Sequence, residues 1–153
     1  MWVLQWPALR AMLIRAVGSD TITAAPFLAG TIGLLKSTYG PTADSVYTGD
    51  VATHEADFTG YVKKAVVFGP PTRGQNTFVI AEATTPLTFI PTDSTKPNNI
   101  FGWFFLGTDS VTLMGVEMFN AAIPLPDPNH SLTGLPLLGI NSAATFGNSL
   151  VSN

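Results

Sequence analysis

The chain has 153 residues, of which 46% are hydrophobic and only 11% are charged. A chain of this length fits one domain that buries most of its unfolded surface without disulfides, and it contains no cysteine. The net charge of −3 and the scattered lysines and arginines argue against a nucleic-acid surface. Because an ordinary domain carries about 25% charged residues, the low charge favours a surface that neighbouring subunits partly cover.

The first segment predicts a short helix. Pro7 suits a first helical turn, apolar residues recur at helical spacing up to Val17, and Gly18 ends the pattern. Arg10 and Arg15 interrupt the apolar run, so we expect neither a signal peptide nor a membrane span here. Two interpretations stay open: the helix packs on its own domain, or the segment is an arm that docks on a neighbouring subunit.

Short apolar runs separated by turns predict about seven strands. The runs are residues 31–36, 61–68, 76–83, 87–90, 100–106, 111–119 and 132–140. The run 100–106 is the most apolar, which predicts a central strand buried on both faces. Proline cannot donate to a sheet ladder, so three prolines predict an extended loop over residues 121–129. For the same reason, Pro136 fits the last strand only at an edge or a bulge.

These elements predict a mainly β protein. Short strands that do not alternate with helices favour a single-domain β-sandwich or a jelly-roll-like fold with a short N-terminal helix. We expect residues 1–20 to form the helical arm, residues 21–140 the β-sandwich domain, and residues 141–153 a C-terminal tail. The tail is small and polar, and such a tail is either frayed or ordered by lying on a neighbour.

The densest polar cluster lies in the segment Thr53-His54-Glu55-Ala56-Asp57-Phe58-Thr59-Gly60-Tyr61. Its histidine and carboxylates are residue types that ligate metals or act in acid–base chemistry. A metal site needs three or four convergent ligands, and only Asp127 and His130 remain as a distant pair. Nucleophile-elbow and phosphate-loop patterns are missing from the sequence. No catalytic residue, cofactor or metal is therefore predicted, and we do not expect an enzyme.

The structural interpretation of this segment is favoured. In it, the carboxylates cap turns and backbone N–H groups, and Phe58 and Tyr61 anchor the segment to the core. Gly60 takes a positive φ or allows a close approach where the chain turns into the next strand. The aromatic run of Phe101, Trp103, Phe104 and Phe105 has two interpretations of its own. It stacks on bases or sugars, or it fills a core from both faces of a strand, and the core is favoured.

The segment 55–61 resembles a recurring sequence motif in small virion proteins of tailed bacteriophages. In that family a short N-terminal helix, a strand and a loop come before the motif, and the same order is predicted here. The stretches 99–104 and 113–119 resemble two later strands of the family. The chain departs from the family pattern at His54, where threonine is favoured, and at Met118, where arginine is favoured.

The resemblance implies a structural protein of the virion and gives it no position in the particle. Together with the low charge, the spare apolar surface and the candidate arms at both ends, it leads to the hypothesis of a capsid decoration or cement protein. Such a protein would form a homo-oligomer and contact the major capsid protein or other virion proteins. Neither a nucleic acid nor a membrane is an expected partner. The alternative is a tail, baseplate or fibre component that binds a host-surface glycan. Assembly contacts are predicted in the segment before the helix, in the proline-rich loop and in the tail. The predicted contact residues are Trp2, Trp6, Pro124, Pro126, His130, Phe146 and Leu150.

Overall fold

The computed structural model describes residues 2–4, 28–42, 44–69, 72–73, 79–140 and 151–152, with side chains described within 29–42, 44–69 and 82–136. The described chain is mainly β, as the sequence predicts, and its strand pairs are antiparallel. The strands are β1 (Trp2–Leu4), β2 (Leu28–Leu35), β3 (Lys64–Phe68), β4 (Thr72–Arg73), β5 (Val79–Glu82), β6 (Leu87–Phe89), β7 (Asn98–Leu106), β8 (Leu113–Leu125), β9 (Leu132–Gly134), β10 (Leu137–Ile140) and β11 (Val151–Ser152). The helical structure of these residues is one 3-10 helix, Val51–His54.

The main sheet has five strands in the order β1-β8-β7-β2-β3. Its middle strand β7 contains the most apolar run of the sequence and is buried on both faces. Trp103 and Phe105 belong to the core on one face, and Phe104 and Leu106 belong to the core on the other. The prediction of a central strand buried on both faces is confirmed. The core interpretation of the aromatic run is confirmed for Trp103, Phe104 and Phe105, whereas Phe101 is partly exposed.

The two small sheets are built on one bent two-stranded ribbon, in which β5 pairs with β10 before the bend and β6 pairs with β9 after it. The second sheet has the order β10-β5-β4 and the third has the order β11-β9-β6. Extending the β10–β5 register would place Gly134 opposite Thr85, yet Gly134 lies opposite Leu87. The ribbon therefore bends where its strands change sheets, and the Ala83 amide donates to the Pro136 carbonyl at the bend. The predicted strand 132–140 is wrong as one strand, because proline interrupts it.

Two cores hold the sheets and loops together. The first core joins the main sheet to the third sheet, which contributes Leu87, Phe89 and Leu132. The second core lies on the opposite face of the main sheet. There the chain between β2 and β3 contributes the buried Val51 and the half-buried rings of Tyr39 and Tyr47. The main sheet is therefore buried on both faces, which agrees with the low share of charged residues in the chain.

The predicted loop over residues 121–129 is wrong in its first half, because β8 continues to Leu125. Pro124 lies opposite Asn99 of β7, while β1 pairs only with residues 115–117 of β8. Proline is tolerated there because, in the described chain, no strand needs an N–H from the outer edge at that position. Residues 119–122 of β8 stand opposite Phe101 alone, which makes an irregular bulge in β8.

The predicted helix over residues 7–17 lies outside the described residues, and so do Trp6, Phe146 and Leu150. Both ends of the described chain add a short edge strand. The backbone of Trp2–Leu4 pairs with β8, and that of Val151–Ser152 pairs with β9. No helix in the described ranges is long and apolar enough to cross a membrane.

Gly33→Ala tests the close packing of β2 on β7. A Cβ atom at Gly33 would lie 2.2 Å from the Phe104 ring and 2.7 Å from the Tyr61 hydroxyl. We expect the free energy of unfolding, measured by chemical denaturation, to fall by about 1–3 kcal/mol, the usual cost of overpacking a core. Gly40→Ala is the matched control, since nothing lies within 4 Å of its Cβ position. Equal stability of the two variants would contradict the packing described.

Candidate functional site

The polar segment of the sequence lies along the edge of β2. Strand β3 pairs with β2 only as far as Ile32, whereas β2 continues to Leu35. Residues 54–61, which we call the closing segment, take over this edge. The Ala56 amide donates to the Leu34 carbonyl at 2.8 Å, and the Lys36 amide donates to the His54 carbonyl at 2.8 Å. The closing segment thus supplies partners to backbone groups that β3 does not reach.

The Tyr61 side chain completes this edge. Its hydroxyl accepts a hydrogen bond from the Leu34 amide at 3.0 Å. Its ring packs edge-on against Phe58 at 5.2 Å between centroids and is stacked on Phe89 at 6.2 Å. Burial raises the pKa of Tyr61 far above its ordinary value, so the hydroxyl stays protonated. The prediction that Phe58 and Tyr61 anchor the segment to the core is confirmed.

Gly60 makes the turn between the acidic residues and Tyr61. Its φ is +85°, as predicted, and a Cβ atom there would lie 2.5 Å from the Thr92 side chain. The Thr92 amide donates to the Thr59 carbonyl at 2.9 Å. The turn is therefore held against the chain that follows β6, and only glycine fits this backbone without strain.

Asp57 lies between two lysines. Its Oδ2 atom is 2.7 Å from the Nζ atoms of both Lys36 and Lys96. Asn98 accepts from the Asp57 amide at 2.9 Å and donates to the Asp57 carboxylate at 3.2 Å. Hydrogen bonds from Lys36 and then Lys96 lower the pKa of Asp57 from 3.8 to about 2. The prediction that this carboxylate caps backbone N–H groups is wrong, because charged and amide side chains occupy it instead.

Glu55 belongs to a second polar group with Tyr47 and Lys63. The Tyr47 hydroxyl donates to Glu55 at 2.5 Å, and Lys63 Nζ lies 3.2 Å from Glu55 Oε1 and 2.6 Å from the Tyr47 hydroxyl. Burial alone would lower the pKa of Lys63, but the hydroxyl and the carboxylate outweigh it and raise that pKa. Burial and the hydrogen bond to Glu55 raise the pKa of Tyr47. This group fastens Tyr47, which lies before the closing segment, to Glu55 within that segment and to Lys63 just after it.

The histidines have separate partners. Nδ1 of His54 lies 2.7 Å from the Ser37 hydroxyl, and its ring lies 5.0 Å from the Tyr39 ring. His130 contacts Asp127 at 2.9 Å in a turn that also bonds the Asn129 amide. Among the described residues, no group of three or more His, Cys, Asp or Glu side chains is placed to hold a metal ion.

Sequence reasoning missed the partners that make the segment structural. Lys36, Lys96 and Asn98 are distant from Asp57 in the sequence, and no spacing rule connects them to it. It also missed the pair of Trp103 and Glu117, in which the indole Nε1 donates to the carboxylate at 2.8 Å. Glu117 is only 7% exposed. The available signal was an acid inside an apolar strand, since a buried carboxylate requires hydrogen-bond donors.

The predicted assembly residues fall in different parts of the described chain. Pro124 is exposed near the end of β8, while Pro126 and His130 are partly exposed in the connection that follows. Trp2 belongs to the edge strand β1, opposite Glu117. Pro124 therefore lies at the end of β8, Pro126 and His130 lie in the connection after it, and Trp2 lies at the outer edge of the main sheet. No protein-family model, curated protein or solved structure matches the chain.

Tyr61→Phe removes the hydroxyl that accepts from the Leu34 amide. We expect the free energy of unfolding to fall by about 1–3 kcal/mol, because a buried amide loses its partner. Tyr39→Phe is the control: it removes a hydroxyl from a half-exposed ring, and we expect a change below about 0.5 kcal/mol. Chemical denaturation at neutral pH measures both. A loss for Tyr61→Phe no larger than for the control would contradict the role of this hydroxyl.

Asp57→Asn tests the ion pairs through pH. Because the folded-state pKa of about 2 lies below the ordinary 3.8, these pairs stabilise the fold above pH 3.8 and lose that effect as the pH falls toward 2. We expect thermal unfolding of the wild-type protein to show a steeper loss of stability over this range than the variant shows. Asp44→Asn, at an exposed position, should keep the wild-type slope. Identical slopes for Asp57→Asn and the wild type would contradict the assignment.

Proposed function

We propose that this protein is a structural virion protein of a tailed phage, a capsid decoration or cement protein. The observation that carries the proposal is the resemblance of residues 55–61 to the recurring motif of the virion proteins. The same residues have a structural role here, because they complete the edge of β2. Glu55, Asp57 and Tyr61 bond other parts of the same chain. A segment that closes a sheet belongs to a scaffold, and this use supports a structural role.

We also propose that the main sheet and the third sheet form a β-sandwich or a jelly-roll-like fold. Leu87, Phe89 and Leu132 of the third sheet share one core with Ile32 and Trp103 of the main sheet. Sheets that pack face to face build this kind of core, and strands that bend at corners pass between them. Such a domain gives a rigid body for repeated contacts on a particle surface.

The surface composition supports assembly. Only 11% of the chain is charged, and Val46, Val62, Ile90 and Val111 have side chains that are 47–58% exposed. Single exposed apolar residues are ordinary, but a low charge density makes association less costly in desolvation. In the proposed function, a homo-oligomer docks several equivalent surfaces onto capsid proteins. Weak contacts then add through effective concentration.

The glycan-binding alternative gains no support from the described surface. A protein that binds a glycan by stacking it on aromatic rings needs exposed aromatic side chains. Where side chains are described, each phenylalanine, tyrosine and tryptophan is buried or only partly exposed.

Sedimentation tests the proposed function. We expect the purified protein to form a homo-oligomer and to sediment with capsids that lack it, and we expect the bound capsids to withstand heating better than bare ones. Capsids that already carry their full complement are the control and should bind no more. A monomer that stays in the supernatant with bare capsids would contradict the proposal.

A further inference from the structure

We draw no further inference here: the strongest candidate, the apolar cavity of about 30 Å³ between the main sheet and the third sheet that Phe89, Trp103 and Phe119 line, carries none, because it has room for little more than a water molecule and nothing in the described structure shows what would occupy it.

Discussion

The hydrogen bonds between β2 and the closing segment are the constraint on which the rest of the described structure depends. Strand β2 contacts the central strand along one edge, and on its other edge β3 stops at Ile32. The Tyr61 hydroxyl and the backbone of residues 54–56 complete that edge around Leu34. With both of its ends held at β2, the chain between β2 and the closing segment lies over the second core, where Val51 and Tyr47 cover Phe104.

Local signals in the sequence predict much of this fold. The uninterrupted apolar run predicts a central strand, and β7 extends only two residues earlier, to Asn98. The positive φ of Gly60 follows from the need to turn between a polar segment and a strand. These features depend on residues close together in the chain, where periodicity and turn chemistry are informative.

Features that depend on the position of a strand within the sheet were not predictable. Pro124 indicated a loop, yet it is accommodated because the outer edge of β8 is open at that point in the described chain. Pro136 signalled an irregularity in the last strand, but no local pattern shows that the two halves of that strand join different sheets. The same limit applies to Asp57, because its lysine partners come from the end of β2 and from the turn before β7.

The polar cluster that stands out in the sequence is therefore part of the scaffold. Its carboxylates are occupied by lysines, an amide and a tyrosine hydroxyl, and the Tyr61 hydroxyl accepts a hydrogen bond from the Leu34 amide. Its described contacts give the segment a structural part in this fold. The surfaces proposed for assembly lie elsewhere, at the outer edge of β8 and in the connection after it.

Amide hydrogen exchange of the wild-type protein tests the central claim most directly. If the closing segment completes the main sheet, the amides of Leu34, Lys36 and Ala56 are protected to a degree comparable with the amides that pair β2 with β7. Exchange of these three amides at the rate of an exposed loop, while the β2–β7 amides stay protected, would contradict the account.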